Sequence, residues 1–262
     1  MASILDEIIA HKQNELHNRR QQVAIEQLKE QAAGMPPCRD FAAALRREPG
    51  GPLKLLAEIK AASPSSGPIR ADFDAGNVAR LFEQSGAAAI SVLTDTRYFA
   101  GTDEHLRQAK AAVSVPVLRK DFTIDEYQLY EARCIGADAI LLMAQVLPPD
   151  RFSALHKKAA ELGLWVLAEG HHPHQLDFIA SMGAPVVGIN NRDFDTMQVD
   201  LETTLQNRRR IPPDRVLVSQ SGIFTREEAR RVDAAGVDAI QVGTSIMQSS
   251  DMQGHINALL GI

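Results

Sequence analysis

Cysteine is scarce: Cys38 and Cys134 are the only two in 262 residues. That leaves no disulfide framework and fits a reducing compartment. Aromatic residues make up 5% of the chain against 45% hydrophobic residues overall, so the core is expected to be aliphatic. Basic charge is not in excess, and the net charge is -5. This argues against a general nucleic-acid binder, though local charge still leaves room for an anionic small molecule. No apolar run approaches the roughly 18 residues needed to span a membrane. The segment Met1 to Lys12 carries Asp6, Glu7 and Lys12 among its apolar residues, which is unlike a signal peptide. A cytoplasmic protein with neither membrane nor nucleic-acid partner is expected.

What is present is a series of short apolar runs, each ending in polar residues. Leu55-Leu56-Ala57 leads into Glu58-Ile59-Lys60, and Pro116-Val117-Leu118 into Arg119-Lys120-Asp121. Leu164 to Ala168 leads into Glu169, Val186 to Ile189 into Asn190-Asn191-Arg192, and Val216-Leu217-Val218 into Ser219-Gln220-Ser221-Gly222. Such runs read as strands buried on both faces, as in a parallel sheet.

A phrase recurs four times: Gly86 to Ile90, Gly136 to Ile140, Gly183 to Val187 and Gly236 to Ile240, with glycines about 47–53 residues apart. Each glycine is expected to close a helix at positive φ just before a strand. A period near 50 is two strand–helix units, so four copies make eight strands. The copies supply the even strands. The odd ones are expected at Leu53–Lys60, Val115–Arg119, Leu164–Glu169 and Arg215–Ser219. Helices are expected at Asp74–Gln84, Asp103–Ala112, Asp125–Cys134, Pro149–Leu162, Pro173–Ser181, Leu201–Arg209, Arg226–Ala234 and about Met252–Leu260. Thr225 with Glu228 reads as a capping box, and Pro149 and Pro173 sit where helices begin.

The alternation predicts an α/β protein, a (β/α)8 TIM barrel of about 250 residues. Residues 1–262 form a single domain in this reading, with 1–50 as a helical extension packed on the barrel. In that extension Ser3 begins an amphipathic helix with Ile4, Leu5, Ile8 and Ile9 on one face, and a short second helix runs from Asp40 to Arg46.

Ionisable groups collected at one end of barrel strands mark where such a fold keeps its active site. Glu58 and Lys60 are two apart on strand 1 and point the same way; they are a site pair or a structural ion pair. Lys120, after strand 3, is a candidate acid, nucleophile or phosphate ligand, or a loop lysine. Glu169 ends strand 5 as a candidate base, or caps the helix at Pro173. Ser221-Gly222 after strand 7 and Gly243-Thr244-Ser245 after strand 8 fall where these barrels bind phosphate at a short helix N-terminus. The loop Ser63 to Gly67 can add hydroxyls to the same anion. His171-His172-Pro173-His174 has poor spacing for one metal ion and no evident carboxylate partner, so solvent-facing histidines are expected. Arg208-Arg209-Arg210 reads as a solvated helix end, and Cys134 as core.

From about Asp40 onward the chain resembles the indole-3-glycerol phosphate synthase family. The motifs run in order: Glu58-Ile-Lys60-Ala-Ala-Ser63-Pro-Ser65, Ser91-Val-Leu-Thr-Asp95 with Tyr98-Phe99-Ala-Gly101, Leu118-Arg-Lys120-Asp-Phe122, Gly188-Ile-Asn190-Asn-Arg192-Asp193, and Ser221-Gly-Ile223 with Gly243-Thr-Ser245-Ile-Met247. The resemblance implies a lyase of tryptophan biosynthesis that uses no metal and no organic cofactor. Its partner is a small phosphorylated substrate, a carboxyphenylamino-deoxyribulose 5-phosphate, which closes to an indole with loss of carbon dioxide and water. It implies Lys120 as general acid, Glu169 as acid/base in dehydration, Lys60 as second acid and substrate contact, and Glu58 and Asn190 as orienting groups. It also implies Arg192 and Phe122 around the anthranilate portion, and Ser63, Ser221, Gly222, Gly243 and Thr244 as substrate-binding residues. The pattern admits a monomer or a homodimer.

Two departures from the family stand out. Gln220 replaces a glutamate, leaving an amide that cannot act as a base; this is expected to lower a neighbouring lysine's pKa or change how it is held. Gly170 replaces an apolar residue and is expected to loosen Glu169. A specialised paralog on a related anthranilate-sugar phosphate, and a silent ligand-binding barrel, are the alternatives.

Overall fold

The computed structural model describes residues 3–63, 67–69 and 73–262. Eight parallel strands close into a barrel: β1 (Lys54–Ile59), β2 (Ala89–Leu93), β3 (Val117–Lys120), β4 (Ala139–Met143), β5 (Trp165–Gly170), β6 (Val186–Asn190), β7 (Val216–Gln220) and β8 (Ala239–Val242). Each strand pairs with its sequence neighbours, and β8 closes against β1. All eight expected strands are there, and the four odd ones are displaced at their ends by one or two residues. The repeated glycines, Gly86, Gly136, Gly183 and Gly236, have φ of 94°, 88°, 72° and 79°, so the reason given for each holds.

The two-residue side-chain period divides the strands into two apolar layers. One set, with Leu55, Ala57, Ile90, Val117, Ile140, Val166, Val187, Leu217 and Ile240, packs beneath the helices. The other, with Leu56, Ala89, Leu118, Ala139, Leu141, Leu167, Val186, Val216, Val218 and Ala239, fills the barrel. Along several strands the inward position two residues further on turns polar: Leu56 gives way to Glu58, Leu118 to Lys120, Leu167 to Glu169, Val218 to Gln220 and Ala239 to Gln241. The interior is therefore apolar at one end and polar at the other, which is where the functional groups collect.

The N-terminal segment adds apolar groups at both ends. Ile4–Gln22 is one helix, and its buried stripe is Leu5, Ile8, Lys12 and Leu16. Leu5 and Ile8 join the inner cluster, as do Phe41, Ala42 and Leu45 of the short helix Phe41–Leu45. Lys12 sits 1% exposed in that stripe. Its ammonium lies 2.9 Å from both Asp95 and Asp121 and 2.8 Å from Glu15, which ties the helix to the loops after β2 and β3.

Two helices have no counterpart in the sequence reading. Ile25–Ala33 packs Leu28 and Ala32 on Tyr127 and Tyr130, and Thr96–Phe99 is a single turn. The short helix expected after β8 is Thr244–Gln248. The segment expected as Leu201–Arg209 is a helix over Glu202–Asn207 followed by a 3-10 turn over Arg208–Arg210. The arginine run there is bonded rather than simply solvated: Arg208 donates to the carbonyls of Gly236 and Ile211, and Arg210 pairs with Asp177. No helix among the described residues is long and apolar enough to cross a membrane.

Candidate active site

The polar end of the barrel opens into one cavity. Glu58, Lys60, Lys120 and Glu169 line it together, from β1, the residue after it, β3 and β5. Glu58 is 6% exposed and holds a lysine on each oxygen: Lys60 Nζ at 2.7 Å on Oε1 and Lys120 Nζ at 2.5 Å on Oε2. Burial alone would raise its pKa, but Lys120 and Lys60 outweigh that and hold the carboxyl well below the ordinary range. Glu58 is a fixed anion, and the ion pair read in the sequence involves two lysines rather than one. Of these, Lys120 is the more open, with 21% of its side chain exposed against 11% for Lys60.

Glu169 differs. It is 1% exposed, and among the described residues no cation pairs with it. Asn190 Nδ2 donates to its Oε1 at 3.0 Å and Gln220 Nε2 to its Oε2 at 2.8 Å. Burial pushes its pKa up; Lys120 and the two amides offset this in part, and the charge of Glu58 adds to it. A carboxyl raised in this way holds its proton more readily than an ordinary glutamate, which suits acid/base chemistry. Gly170 does not loosen it. A Cβ at Gly170 would lie 3.0 Å from Leu176 and 3.2 Å from Ile179, so the helix Pro173–Ser181 packs close against the strand, and both oxygens of Glu169 are held.

Gln220 lies beneath the cavity, 1% exposed, and is absent from its lining. It bonds Glu169 and Gln241, not a lysine. The expectation that it governs a neighbouring lysine is therefore corrected: Glu58 holds both lysines, and the amide at 220 acts on Glu169. Gln241, overlooked in the sequence, completes the chain by donating Nε2 to Glu58 Oε2 at 2.8 Å. A polar residue inside the apolar run of β8 was the signal for it.

The opposite wall can hold an anion. Ser221 and Gly222 have successive φ of 66° and 79°, an arrangement that turns backbone N–H groups to one side. Ser221 is strained there as a non-glycine residue. Asn191, also overlooked, secures it by donating Nδ2 to the Ser221 carbonyl at 2.9 Å and to Ser219 Oγ at 3.1 Å, while its Oδ1 accepts from Thr204. Gly243 and Thr244 line the same side, at the start of the turn Thr244–Gln248. A Cβ on Gly243 would stand 2.6 Å from Glu58 Oε1, so glycine there gives Glu58 its room. The Ser63 side chain, with Pro64, Ser65 and Ser66, lies outside the described residues.

The remaining wall is apolar. Phe122 faces Phe99 with ring centroids 6.2 Å apart, and Ile4, Ile8, Leu141 and Met143 continue the surface. Arg192 lines the cavity too, and burial lowers its pKa. Its backbone N–H donates to Asn190 Oδ1 at 3.0 Å.

His171, His172 and Asp193 have donor atoms within 4.8 Å of one another, so a carboxylate does stand beside the histidines, contrary to the sequence reading. His171 Nδ1 is engaged with the Asn190 carbonyl at 2.8 Å, and His172 is the N-cap of Pro173–Ser181. The positive end of a helix dipole opposes a cation at that spot, and the histidines are half-buried.

Among solved structures, the chain is similar to thiamine phosphate pyrophosphorylase from Pyrococcus furiosus, at 19% identity over 79% of this chain and 93% of that one, with a TM-score of 0.60. It is also similar to the tryptophan synthase complex from Pyrococcus furiosus, at 16% identity over 80% of this chain and 99% of that one, with a TM-score of 0.57. At these identities the likeness is one of fold. The family model described as indole-3-glycerol phosphate synthase matches residues 5–259, nearly the whole chain, so this protein belongs to the indole-3-glycerol phosphate synthase family.

Proposed function

We propose that the chain converts 1-(2-carboxyphenylamino)-1-deoxyribulose 5-phosphate into indole-3-glycerol phosphate, releasing carbon dioxide and water. The observation that carries this reading is the convergence of Lys120, Lys60 and Glu169 on one cavity, between an anion cradle and an aromatic wall.

The phosphate fits the turn of Ser221-Gly222 and Gly243-Thr244. The aryl ring fits against Phe122 and its apolar neighbours, with Arg192 for the carboxylate. In the ring closure, the ring carbon bearing the carboxylate attacks the ketone carbon. The carbonyl oxygen gains negative charge, and the Lys120 ammonium protonates it. Carbon dioxide then leaves, and the electrons of its bond restore the aromatic ring. The resulting hydroxyl departs as water after protonation by an acid, while a base removes the last proton to complete the indole. Lys60 and Glu169 are assigned to that dehydration, Glu169 because its carboxyl is buried against neutral amides. Glu58 sets the two lysines, and Asn190 orients Glu169.

Gln220 lies outside the cavity wall, so the loss of an acid there leaves the reacting groups in place, which supports this reaction over an altered one. The retained lysines and Glu169 in one cavity support catalysis over mere ligand binding. No step calls for a metal or organic cofactor. Incubation with the substrate, followed by indole fluorescence and mass detection, tests the reading. Product at the mass of indole-3-glycerol phosphate is expected; intact substrate after prolonged incubation would overturn it.

A further inference from the structure

A continuous hydrogen-bonded chain crosses the floor of the cavity, from Glu58 through Gln241 and the underlying Gln220 to Glu169. Its direction is set at one end. Glu58, ionised between Lys60 and Lys120, can only accept. Gln241 must therefore turn its NH2 toward Glu58, which aims its Oε1 at Gln220. Gln220 answers with Nε2 at 2.7 Å and spends the other proton of the same group on Glu169 at 2.8 Å.

The cost of this arrangement is visible. Gln220 Oε1 is buried with no partner among the described residues. It lies against the Cα of Gly188, where any Cβ would collide with it. A buried acceptor without a donor costs about 1–3 kcal/mol. Turning the amide over would offer Oε1 a donor whenever Glu169 carries a proton. It would also set Oε1 against Gln241 Oε1, acceptor to acceptor.

We propose that Gln241 is a positioning residue that locks the Gln220 amide with its NH2 toward Glu169, so that Glu169 meets a donor in both of its protonation states. Asn190, on the other oxygen, is locked in the same sense because its Oδ1 is occupied by the Arg192 backbone N–H. A protonated Glu169 thus finds no acceptor among the two amides that touch it, and the lock favours the ionised form. Lys120 of β3 also favours ionisation and Glu58 of β1 opposes it. Met143 of β4 and Gly188 of β6, its register neighbours, carry no charge. His171, two residues on, is turned to the Asn190 carbonyl.

The effect on turnover rests on the reaction proposed above; the effect on Glu169 titration does not. The test is therefore the Glu169 carboxyl itself, followed by infrared difference spectroscopy on protein labelled with 13C-glutamate and assigned with Glu169→Gln. In Gln241→Leu the amide of Gln220 is free to turn, and the protonation midpoint of Glu169 is expected to rise by about one pH unit, a ~10-fold change in its proton affinity. Gln241→Met, which keeps an unbranched chain, is expected to shift it in the same direction and serves if the leucine variant does not fold. Gln220→Leu should also raise the midpoint, and Gln220→Leu with Gln241→Leu should raise it no further than Gln220→Leu alone, because Gln241 acts through Gln220. An unmoved midpoint in both Gln241 variants, or shifts that add in the double variant, would overturn the lock. With substrate, the acid limb of kcat should move upward with the midpoint while KM changes less than about twofold. A wild-type protein that makes no indole would sink the reaction and leave the titration result standing.

Discussion

Glu58 and Glu169 are both inward carboxyls near the ends of barrel strands, and their neighbours push them apart. Two lysines keep Glu58 ionised, whereas burial against amides raises Glu169. Paired carboxyls with divided pKa values are how one site supplies a permanent charge and a proton carrier together. Lys120, the more exposed of the two ammoniums, is the assigned acid. Lys120→Ala is expected to lower kcat by about 10²–10⁴, the range for a general acid, with a thermal midpoint near that of the wild type because Lys60 remains paired with Glu58. Residual kcat within tenfold of the wild type would remove Lys120 from that role. Gly188→Ala forces a Cβ onto Gln220 Oε1. It is expected to cost about 1–3 kcal/mol by denaturant unfolding and to depress kcat by displacing Glu169's donor; unchanged stability would mean that Gln220 has room to move. At this scale the sequence spoke unevenly. Glu58, Lys60, Lys120, Glu169 and Asn190 were legible because each ends an apolar run. Gln241 was hidden inside one, and only the register that brings it opposite Gln220 gives it meaning.

At the scale of elements, the helix Ile4–Gln22 is fixed by an ion cluster rather than by its apolar stripe alone. Lys12 reaches Asp95 and Asp121, residues in the loops that follow β2 and β3, and Asp121 directly follows Lys120. Burial by itself would raise Asp121, but Lys12 and Arg119 prevail and hold its pKa at about 2, below its ordinary 3.8. A carboxyl depressed on folding adds stability above its unfolded pKa and loses that stability as pH falls through the folded value. This shift corresponds to about 2 kcal/mol. Unfolding free energy is therefore expected to decline between pH 4 and 2, and Asp121→Asn should flatten that part of the curve. Lys12→Met leaves Asp95 and Asp121 buried without their cation, for an expected loss of about 3–5 kcal/mol by chemical denaturation; a loss under 1 kcal/mol would contradict the buried cluster. None of this was readable from the chain, since the partners lie far from Lys12 in sequence. The helix Ile25–Ala33 escaped for a different reason: it buries only Leu28 and Ala32, too thin a stripe to stand out among its polar residues.

For the whole molecule, the repeated glycines and apolar runs were enough to specify eight strands and their order, because a buried parallel strand has a simple signature. The division of the interior into an apolar end and a polar end follows from the same alternation, one step further along each strand. Closure of the barrel brings β1 beside β8, and only that closure lets Glu58 meet Gln241 from the far end of the sequence. The proposed reaction needs one cavity in which an ammonium drives ring closure with loss of a carboxylate. Its most direct measurement is the release of labelled carbon dioxide from substrate carrying 13C in the aryl carboxylate, run in parallel for the wild type and Lys120→Ala. One equivalent of labelled gas per indole formed by the wild type, and release slowed by about 10²–10⁴ in the variant, is the predicted result. Equal release from both proteins, or indole formed with the label retained, would contradict it.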